Sequence, residues 1–584
     1  MKEINLKING IDVKAPEGST ILEAAQIAKI RIPTLCYLKE INKIGLCRIC
    51  VVEVKGARSL VASCDTPISE GMEVWTNTPR VIKSRTQTLQ LLLSNHERKC
   101  LSCARSGKCE LQELCRELDI EDETYYDGER GEYEIDDSAP HMIRNDNKCI
   151  LCRRCVAVCE DIQSVGVIGP NNRGFATYIG SQFDMKLADT SCISCGQCIA
   201  VCPTGALREK DDTDKILEAI ADPNKFVAVQ VAPAVRAALG EEFGYPMGTQ
   251  VEGKMAAALR RLGFDKVFDT NFSADLTIME EANELIERLE GEGHLPLITS
   301  CSPGWIKFCE FYYPEMLDNL STCKSPQQMF GAVLKTYYAK KMDLEPENIV
   351  SVSVMPCTAK KFEIGRADQS AAGVPDVDIS ITTRELARLI KRLSIDFEEL
   401  PDEGFDNPLG ESTGAGVIFG ATGGVMEAAL RTAYEKVTGN ELKEVEFTDV
   451  RGTQGIKEAS YDLNGTTVNV AVASGTGNAR KLLEMVKSGE KNYHFIEIMA
   501  CPGGCVNGGG QPIISSRIRN TTDIRAVRAK ALYELDKERP LRKSHENPSI
   551  KEVYDNYFEK PGSVKAIKAL HTTYSQRAIN KKML

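Results

Sequence analysis

Cysteine is the residue type that most constrains how this chain can fold. The sequence holds 22 cysteines, of which sixteen fall before residue 203 and none follows residue 505. In a reducing compartment, closely spaced cysteines bind metal more often than they form disulfides. Only six histidines are present, so sulfur would be the main ligand. This composition favours iron–sulfur clusters over zinc sites.

Two segments of the chain repeat one cysteine spacing. CILCRRCVAVCE begins at Cys149 and CISCGQCIAVCP begins at Cys192, and each reads Cys-x2-Cys-x2-Cys-x3-Cys. This spacing is typical of bacterial ferredoxins with two 4Fe-4S clusters, in which the fourth cysteine of each run binds the other cluster. The sequence therefore predicts two clusters with exchanged ligands: Cys149, Cys152, Cys155 and Cys202 for one, and Cys192, Cys195, Cys198 and Cys159 for the other.

A third cysteine group follows a predicted strand pair and helix at the N-terminus. INLKINGIDV is typical of two strands that turn at Asn9-Gly10, and TILEAAQIAKI is typical of a helix. The cysteines that follow resemble the loop of a plant-type 2Fe-2S ferredoxin with a longer first gap. A zinc knuckle is the alternative. The predicted ligands are Cys36, Cys47, Cys50 and Cys64.

The segment NHERKCLSCARSGKC offers a fourth group with one histidine and three cysteines. Its spacing fits a Cys3His zinc site as well as a 4Fe-4S cluster with one histidine ligand. The neighbouring groups favour the cluster. Cys115 is expected to be a spare, buried thiol. The candidate ligands are His96, Cys100, Cys103 and Cys109.

The bulk composition indicates a soluble, cytoplasmic protein. A chain of 584 residues should form about three to five domains. No apolar run reaches the roughly 18 residues that a membrane span needs, and the N-terminus has no apolar signal-peptide core. The net charge of −11, with both signs interspersed, argues against nucleic-acid binding and favours docking with another protein.

Beyond residue 225, apolar runs alternate with helical patterns, as in α/β domains. KFVAVQVAP, HLPLITSC, NIVSVSVMPC, TVNVAVAS and HFIEIMAC are typical of buried strands. Ligands bind beyond the carboxyl ends of strands in open α/β sheets, so the thiols at these strand ends should face one crevice. Cys309 and Cys323, in predicted helical stretches, are interpreted as core thiols. The crevice thiols are Cys301, Cys357, Cys501 and the nearby Cys505.

Three segments around these thiols resemble the signature segments of iron-iron hydrogenases. They are TSCSPGW (299–305), MPCTAKKFE (355–363) and EIMACPGGCVNGGGQP (497–512). The resemblance covers nearly the whole chain and implies reversible reduction of protons to H2 at an H-cluster. That cofactor is a 4Fe-4S cubane bridged by a cysteine sulfur to a di-iron unit with CO, cyanide and a dithiolate. By resemblance, Cys501 binds the cubane and Cys505 bridges to the di-iron unit, and Cys357 is a further metal ligand.

The resemblance also assigns side chains around the cofactor. Lys360 matches a lysine that contacts a cyanide, and a cation suits an anionic ligand. The glycines after Cys501 are expected to let the backbone approach the cofactor. Four residues match other positions that line the site: Pro233, Gln327, Met355 and Met499.

The first segment departs from the family pattern, which reads Thr-Ser-Cys-Cys-Pro with a proton-relay cysteine followed by a cubane ligand. In a gap-free register, Cys301 is the relay and Ser302 takes the ligand position, although oxygen is a harder ligand than sulfur. If the loop shifts, Cys301 becomes the ligand instead. By pattern alone, the helix MEEANELIER would be a solvated acidic face. By resemblance, the rest of the proton path is Glu281, Glu284, Arg288 and Ser321.

The predicted fold is an α/β catalytic domain, with two open-sheet lobes around a cluster crevice, preceded by small α+β ferredoxin-like domains. GAGVIFGATGG (414–424) is a poor match to a nucleotide loop and is expected to pack near the active-site domain. The predicted domains are a 2Fe-2S β-grasp domain (1–80), a His/Cys3 4Fe-4S domain (81–135), a two-cluster ferredoxin domain (136–212), a hydrogenase domain (213–535) and a helical surface tail (536–584).

The N-terminal region also resembles the cluster-bearing part of an NADH dehydrogenase subunit. No Walker A or flavin signature is visible, so a nicotinamide would be bound by another subunit. This favours NAD/FMN-binding and iron–sulfur partner subunits in an electron-bifurcating complex that also uses ferredoxin. A formate dehydrogenase partner and a single-chain enzyme are alternatives.

Two rival functions come from other classes of protein. A pure electron-transfer subunit of a dehydrogenase would share residues 1–210 but would not need Cys357, Cys501 and Cys505. A hydrogen sensor with slow turnover would carry the same cofactor, yet no signalling domain is evident in the sequence.

Overall fold

This computed structural model describes residues 2–120, 130–463 and 465–579. Its first unit contains β1 (Glu3–Ile8), β2 (Ile11–Pro16), α1 (Ile21–Ile27), β3 (Val51–Val54), β4 (Val61–Ala62) and β5 (Glu73–Trp75). The strands form one sheet in the order β2-β1-β5-β3-β4, and the predicted turn at Asn9-Gly10 joins β1 to β2. Thr20 caps α1 through a reciprocal hydrogen-bond pair with Glu23, which fixes the helix start beneath the sheet.

Short helices and two-stranded ribbons carry the next cysteine groups. The elements are α2 (Pro79–Ser94), α3 (Glu110–Glu117), β6 (Met142–Arg144), α4 (Arg154–Ala157), β7 (Ile168–Asn171), β8 (Tyr178–Ser181), α5 (Gln197–Val201) and β9 (Leu207–Glu209). β6 pairs with β9 and β7 pairs with β8, both antiparallel. The sequence repeat is a structural repeat, because α4 and α5 each begin after a left-handed residue, Arg153 at φ 60° and Gly196 at φ 67°.

The first lobe of the catalytic region is built on a parallel sheet. In chain order, the elements are α6 (Thr213–Ala221), β10 (Phe226–Val231), α7 (Pro233–Arg236), α8 (Glu252–Leu262), β11 (Lys266–Asp269), α9 (Thr270–Leu289), β12 (Leu297–Ile298), α10 (Pro303–Tyr312), α11 (Pro326–Val333), α12 (Ala339–Met342), β13 (Ile349–Met355), α13 (Ala359–Glu363), β14 (Ile379–Thr382) and α14 (Thr383–Arg392). The sheet order is β11-β10-β13-β14, and helices cover its apolar faces.

The second lobe consists of β12, which comes from the preceding part of the chain, and of the elements that follow α14. Its elements are α15 (Gly414–Ile418), α16 (Gly424–Thr438), β15 (Ile456–Leu463), β16 (Thr466–Ser474), α17 (Thr476–Lys487), β17 (Phe495–Met499), α18 (Ser516–Arg519), α19 (Ile524–Glu538), α20 (Pro548–Val553) and α21 (Val564–Leu570). The sheet order is β12-β17-β16-β15, with β15 antiparallel at the edge. The prediction of two open-sheet lobes after ferredoxin-like domains is confirmed.

Four details differ from the sequence predictions. The boundary after residue 535 falls inside α19, and the tail is not a surface element, because Phe558 and Leu570 are fully buried in the core around α9 and α11. Cys323 is buried as expected but lies in a loop that pairs with His571, outside any helix. Cys115 lies on α3 and is partly exposed, since the short α3 buries mainly Leu111 and Leu114.

Candidate active site

The carboxyl ends of the two catalytic sheets meet at a cavity. Cys301 follows β12 and Cys501 follows β17 in one sheet, whereas Cys357 follows β13 in the other. The topology thus brings to one place thiols that lie far apart in the sequence. The lining includes every residue that the family resemblance assigned to the cofactor: Pro233, Cys301, Ser302, Gln327, Met355, Cys357, Lys360, Met499, Cys501 and Cys505.

Three of the lining thiols form one set, in which Cys501 is buried and Cys357 and Cys505 are partly buried. Burial, together with the charge of Cys357, raises the pKa of Cys505 to about 12 and that of Cys501 well above its usual range. The Lys360 ammonium opposes this rise in pKa at Cys357 and Cys505. Within the described ranges, no three potential ligands close on a point where a single metal ion would sit. Three thiols that line one cavity beside a cation suit a cluster, whose iron would hold them as thiolates.

Cys301 and Ser302 have different neighbours. Burial and then the charges of Glu281 and Cys505 raise the pKa of the Cys301 thiol. The Ser302 hydroxyl accepts a hydrogen bond from the Ala500 backbone N–H at 3.2 Å, beside Cys501. Cys301 therefore lies between the acidic helix and the thiol set, while Ser302 lies on the Cys501 side of the cavity.

Glu363 organises this site and was not assigned from the sequence. Its carboxylate accepts hydrogen bonds from Lys360 and Gln327, both at 2.9 Å, and it is 6% exposed. Lys360 also donates to the Cys301 carbonyl oxygen at 3.2 Å. The signal was present, because Glu363 ends MPCTAKKFE and lies i+3 from Lys360 on α13. A second missed residue, Phe419 of GAGVIFGATGG, lines the cavity.

The acidic residues of α9 form a buried network, so the interpretation of this helix as a solvated face is wrong. Glu281 is 2% exposed, and burial followed by the Glu284 charge raises its pKa to about 8. Glu284 accepts hydrogen bonds from the Ser321 hydroxyl at 2.8 Å and from Arg288 at 2.6 Å. Starting from the cavity, the series of polar side chains is therefore Cys301, Glu281, Ser321, Glu284 and Arg288. Hydrogen bonds join Ser321, Glu284 and Arg288, whereas Glu281 acts on Cys301 through its charge.

The glycines after Cys501 are needed mainly for contacts between protein segments. A Cβ on Gly509 would lie 2.3 Å from the Cys195 carbonyl oxygen, and one on Gly508 would lie 2.1 Å from the Pro356 carbonyl oxygen. Gly504 has a φ of +92°, where an L side chain would be strained. The expectation that the glycines face the cofactor is therefore incomplete: Gly504 and Gly508 do line the cavity, but Gly509 packs against the ferredoxin region.

The N-terminal cysteines come together in the predicted sets. The Cys50 and Cys64 sulfurs are 3.3 Å apart, and the Cys36 sulfur accepts from the Cys47 N–H at 3.5 Å. In the ferredoxin region, burial is the main cause that raises the pKa of the cysteine thiols, and the charges of neighbouring thiols raise it further. These neighbours follow the exchanged pattern. The Cys202 charge raises the pKa of Cys149, Cys152 and Cys155, and the Cys159 and Cys192 charges raise the pKa of Cys195 and Cys198.

The cysteines of the group near α3 lie near one another as well. Burial and the Cys103 charge raise the pKa of Cys109. Burial and the charges of Cys109 and Cys100 raise the pKa of Cys115. His96 is buried, and burial lowers its pKa to about 4, which favours the neutral imidazole that binds metals. Its Nδ1 has no hydrogen-bond partner among the described residues.

The cysteine sets form a branched succession that ends at the cavity. Asn42 links the first set to the ferredoxin region by donating to the Cys36 and Cys152 carbonyl oxygens, at 2.8 and 3.1 Å. A Cβ on Gly205, three residues after Cys202, would lie 2.5 Å from the Cys103 sulfur. Two branches therefore converge on the set of Cys202.

From that set the succession continues without a break. Cys198 is near enough to raise the pKa of Cys155, and Cys195 is near enough to raise that of Cys501. Cys195 itself lines the cavity. Nearby, Gln163 donates to the Ala500 carbonyl oxygen at 2.9 Å and Gln197 donates to the Asn507 carbonyl oxygen at 2.8 Å. These contacts fix the ferredoxin region to the Cys501 loop.

Comparison with protein families divides the chain along the same lines. Residues 225–509 match the iron only hydrogenase large subunit, C-terminal domain, and residues 522–577 match the iron hydrogenase small subunit. Residues 1–79 match a 2Fe-2S iron-sulfur cluster binding domain, and residues 148–206 match a 4Fe-4S dicluster domain. Residues 85–124 match the NADH-ubiquinone oxidoreductase-G iron-sulfur binding region, which favours a cluster over zinc for the group near α3.

Curated relatives decide the family. The chain is 53% identical over 588 residues to the NADP-reducing hydrogenase subunit HndD of Solidesulfovibrio fructosivorans, covering 99% of this chain and 100% of that protein. It is 46% identical over 571 residues to iron hydrogenase 1 of Clostridium pasteurianum, covering 97% and 99% respectively. The chain belongs to the iron-only hydrogenase family.

Solved structures of hydrogenases support the same assignment. A variant of the apo [FeFe]-hydrogenase HydA1 of Chlamydomonas reinhardtii is 44% identical with a TM-score of 0.57, and the match covers 63% of this chain and 100% of that one. The chain is thus an oxidoreductase that acts on H2, with an H-cluster domain and N-terminal 2Fe-2S and 4Fe-4S domains. No helix in the described ranges is both long and apolar enough to cross a bilayer.

Proposed function

We propose that this hydrogenase works in the cytoplasm of an anaerobic cell as the H2-converting subunit of a nicotinamide-linked complex. Electrons would pass between the active site and NAD/FMN-binding and iron–sulfur partner subunits, with ferredoxin as a second carrier in electron bifurcation. The observation that carries this proposal is the unbroken succession of cysteine sets from Cys36 to Cys501, because such a succession serves an external electron partner. Full-length similarity to an NADP-reducing subunit supports it.

Five sites would hold the cofactors of this path. The proposed set is one 2Fe-2S cluster, three 4Fe-4S clusters and the H-cluster, with His96 as one ligand of the cluster near α3. Cys357, Cys501 and Cys505 would hold the H-cluster, and Lys360, kept in place by Glu363, would face its anionic ligands. When bound, the H-cluster supplies the redox-active iron at which H2 is formed or split. The chain supplies placement, charge and a route for protons.

The proposed function predicts which electron acceptors the chain can use. Anaerobically matured full-length protein should reduce methyl viologen and a bacterial two-cluster ferredoxin under H2. It should not reduce NAD+ or NADP+ alone, because no nucleotide-binding signature is present. Adding the co-expressed FMN-binding and iron–sulfur subunits should make nicotinamide reduction depend on H2. The proposal fails if the isolated chain reduces nicotinamide, or if the reconstituted subunits never do so.

Ser302 is proposed to occupy the fourth cubane position, with Cys301 as the proton relay. The Ser302 hydroxyl lies beside the Cys501 loop, whereas the Cys301 thiol lies between Glu281 and Cys505. This arrangement corresponds to the gap-free register. It gives the cubane three thiolates and one oxygen ligand, which is a harder donor than the family's sulfur.

Substitutions at the two positions should therefore separate cluster binding from turnover. Cys301→Ser should keep the iron of the cubane and lose H2 turnover. Ser302→Cys should keep the iron and change the Mössbauer spectrum of the cubane, since sulfur replaces oxygen on one iron. Iron content and Mössbauer spectra of both variants provide the measurement. Loss of cubane iron in Cys301→Ser, together with an unchanged spectrum in Ser302→Cys, would assign the ligand to Cys301 instead.

Protons are proposed to move along the series Cys301, Glu281, Ser321, Glu284 and Arg288. With a pKa of about 8, the Glu281 carboxyl is mostly protonated at neutral pH yet close to its titration point, which suits proton exchange with a thiol. The same shift affects stability. The pKa of Glu281 in the folded protein lies above its ordinary value of 4.5, so the protonated carboxyl favours the folded state. This contribution to the free energy of unfolding is present below pH 4.5 and is lost as pH rises through about 8.

Replacing Glu281 by glutamine tests this route. Glu281→Gln keeps the shape and hydrogen bonding of the side chain but cannot carry a proton, so H2 evolution from reduced viologen should fall by about 10²-fold or more. Unfolding measured between pH 5 and 9 should also become less dependent on pH. The control is Glu290→Gln at the exposed end of α9, which should leave both measurements unchanged. Wild-type turnover in Glu281→Gln would rule out the route.

A further inference from the structure

Buried arginines fall into two classes in this chain. Among the described residues, eight arginines are buried, and six of them form an ion pair with a carboxylate. The paired residues are Arg154, Arg236, Arg288, Arg384, Arg431 and Arg528. Arg85 and Arg105, which are 6% and 7% exposed, form no ion pair with a described carboxylate.

Both unpaired arginines lie against cysteine sets. Arg85, on α2, donates to the Val51 carbonyl oxygen at 2.8 Å, one residue after Cys50. Arg105 donates to the carbonyl oxygen of Cys202 at 2.8 Å. The Nε atom of each guanidinium is buried and has no hydrogen-bond partner among the described residues. Each arginine therefore donates a hydrogen bond to a backbone carbonyl group at or next to a cysteine, and its Nε–H donates to no described residue.

Such an arrangement is costly without an anion. An isolated buried cation loses its hydration, and proteins normally compensate the loss with a carboxylate. Burial lowers the pKa of Arg85 to about 10, and among the described residues the charge that opposes this is that of Cys50. Arg105 lies close enough to Cys109 to oppose the rise of that thiol's pKa. The anions that these arginines face are therefore cysteine thiolates.

We propose that Arg85 and Arg105 are the counter-ions of the iron–sulfur clusters beside them and raise the reduction potentials of those clusters. Arg85 would act on the cluster of Cys36, Cys47, Cys50 and Cys64, and Arg105 on the cluster near α3 that includes Cys109. A cluster bound by thiolates carries net negative charge, which increases by one when it takes up one electron. A fixed positive charge stabilises the reduced form more than the oxidised form. No proton moves in this step, because arginine stays charged.

The two arginines occupy the two branches that converge on the set of Cys202. Arg85 belongs to the 2Fe-2S branch, and Arg105 lies where the branch through Cys103 and Cys109 meets the ferredoxin region. The inference rests on the proposed ligand sets. It adds that each branch carries a built-in charge that makes its cluster easier to reduce.

The 2Fe-2S cluster gives the clearest test, since its EPR signal can be followed separately in the full-length protein. A redox titration should give a more negative midpoint potential for Arg85→Gln than for the wild type. Arg85→Lys, which keeps the charge, should restore most of the potential. The control is Arg80→Gln on the same helix, an exposed residue that pairs with Glu53. It removes the same charge from the surface and should leave the potential unchanged.

The remaining outcomes also decide the proposal. If Arg85→Gln loses its 2Fe-2S cluster while Arg85→Lys keeps it, the cation is required beside the cluster and the proposal stands. An unchanged midpoint in Arg85→Gln with full iron would overturn it, as would equal effects of the lysine and glutamine variants, which would indicate a packing role. If the wild type shows no 2Fe-2S signal although its iron content is full, the ligand set itself is wrong and the counter-ion role falls with it.

Discussion

The contact between the Cys195–Gly196 turn and Gly509 is the constraint on which the rest of this molecule depends. It brings a thiol of the ferredoxin region to the wall of the cavity that holds Cys501. Only glycine fits there, because a side chain on Gly509 would collide with the Cys195 backbone and one on Gly196 would collide with Thr358. The electron path and the active site are therefore assembled by one backbone-to-backbone junction, secured by Gln163 and Gln197.

Charge is arranged around this path in a consistent way. On the proton side, buried carboxylates of α9 lie near Cys301, and one of them has a raised pKa. On the electron side, the unpaired buried cations lie beside cysteine sets. Between the two, Glu363 holds Lys360 toward the thiols. With the proposed clusters bound, their negative charge would be balanced locally by the positive charge of these side chains.

Much of this could be predicted from the sequence, because cysteine spacing and strand-end thiols constrain ligand sets strongly. The exchanged sets of Cys159 and Cys202 and the cavity residues are examples. Other features depend on tertiary contacts that leave no local pattern. The acidic face of α9 is buried because Ser321 and the C-terminal tail pack on it. The tail is buried in turn because Phe558 and Leu570 pack into the core beside α11. Likewise, Gly509 packs against residues more than 300 positions earlier in the chain.

The central claim is that the cavity between the two sheets holds an H-cluster on Cys357, Cys501 and Cys505, although serine stands at position 302. An infrared spectrum of the anaerobically matured full-length protein tests it most directly. The account predicts stretching bands of metal-bound CO and cyanide that shift when H2 is admitted. Absence of these bands in protein whose N-terminal clusters are fully loaded would contradict it.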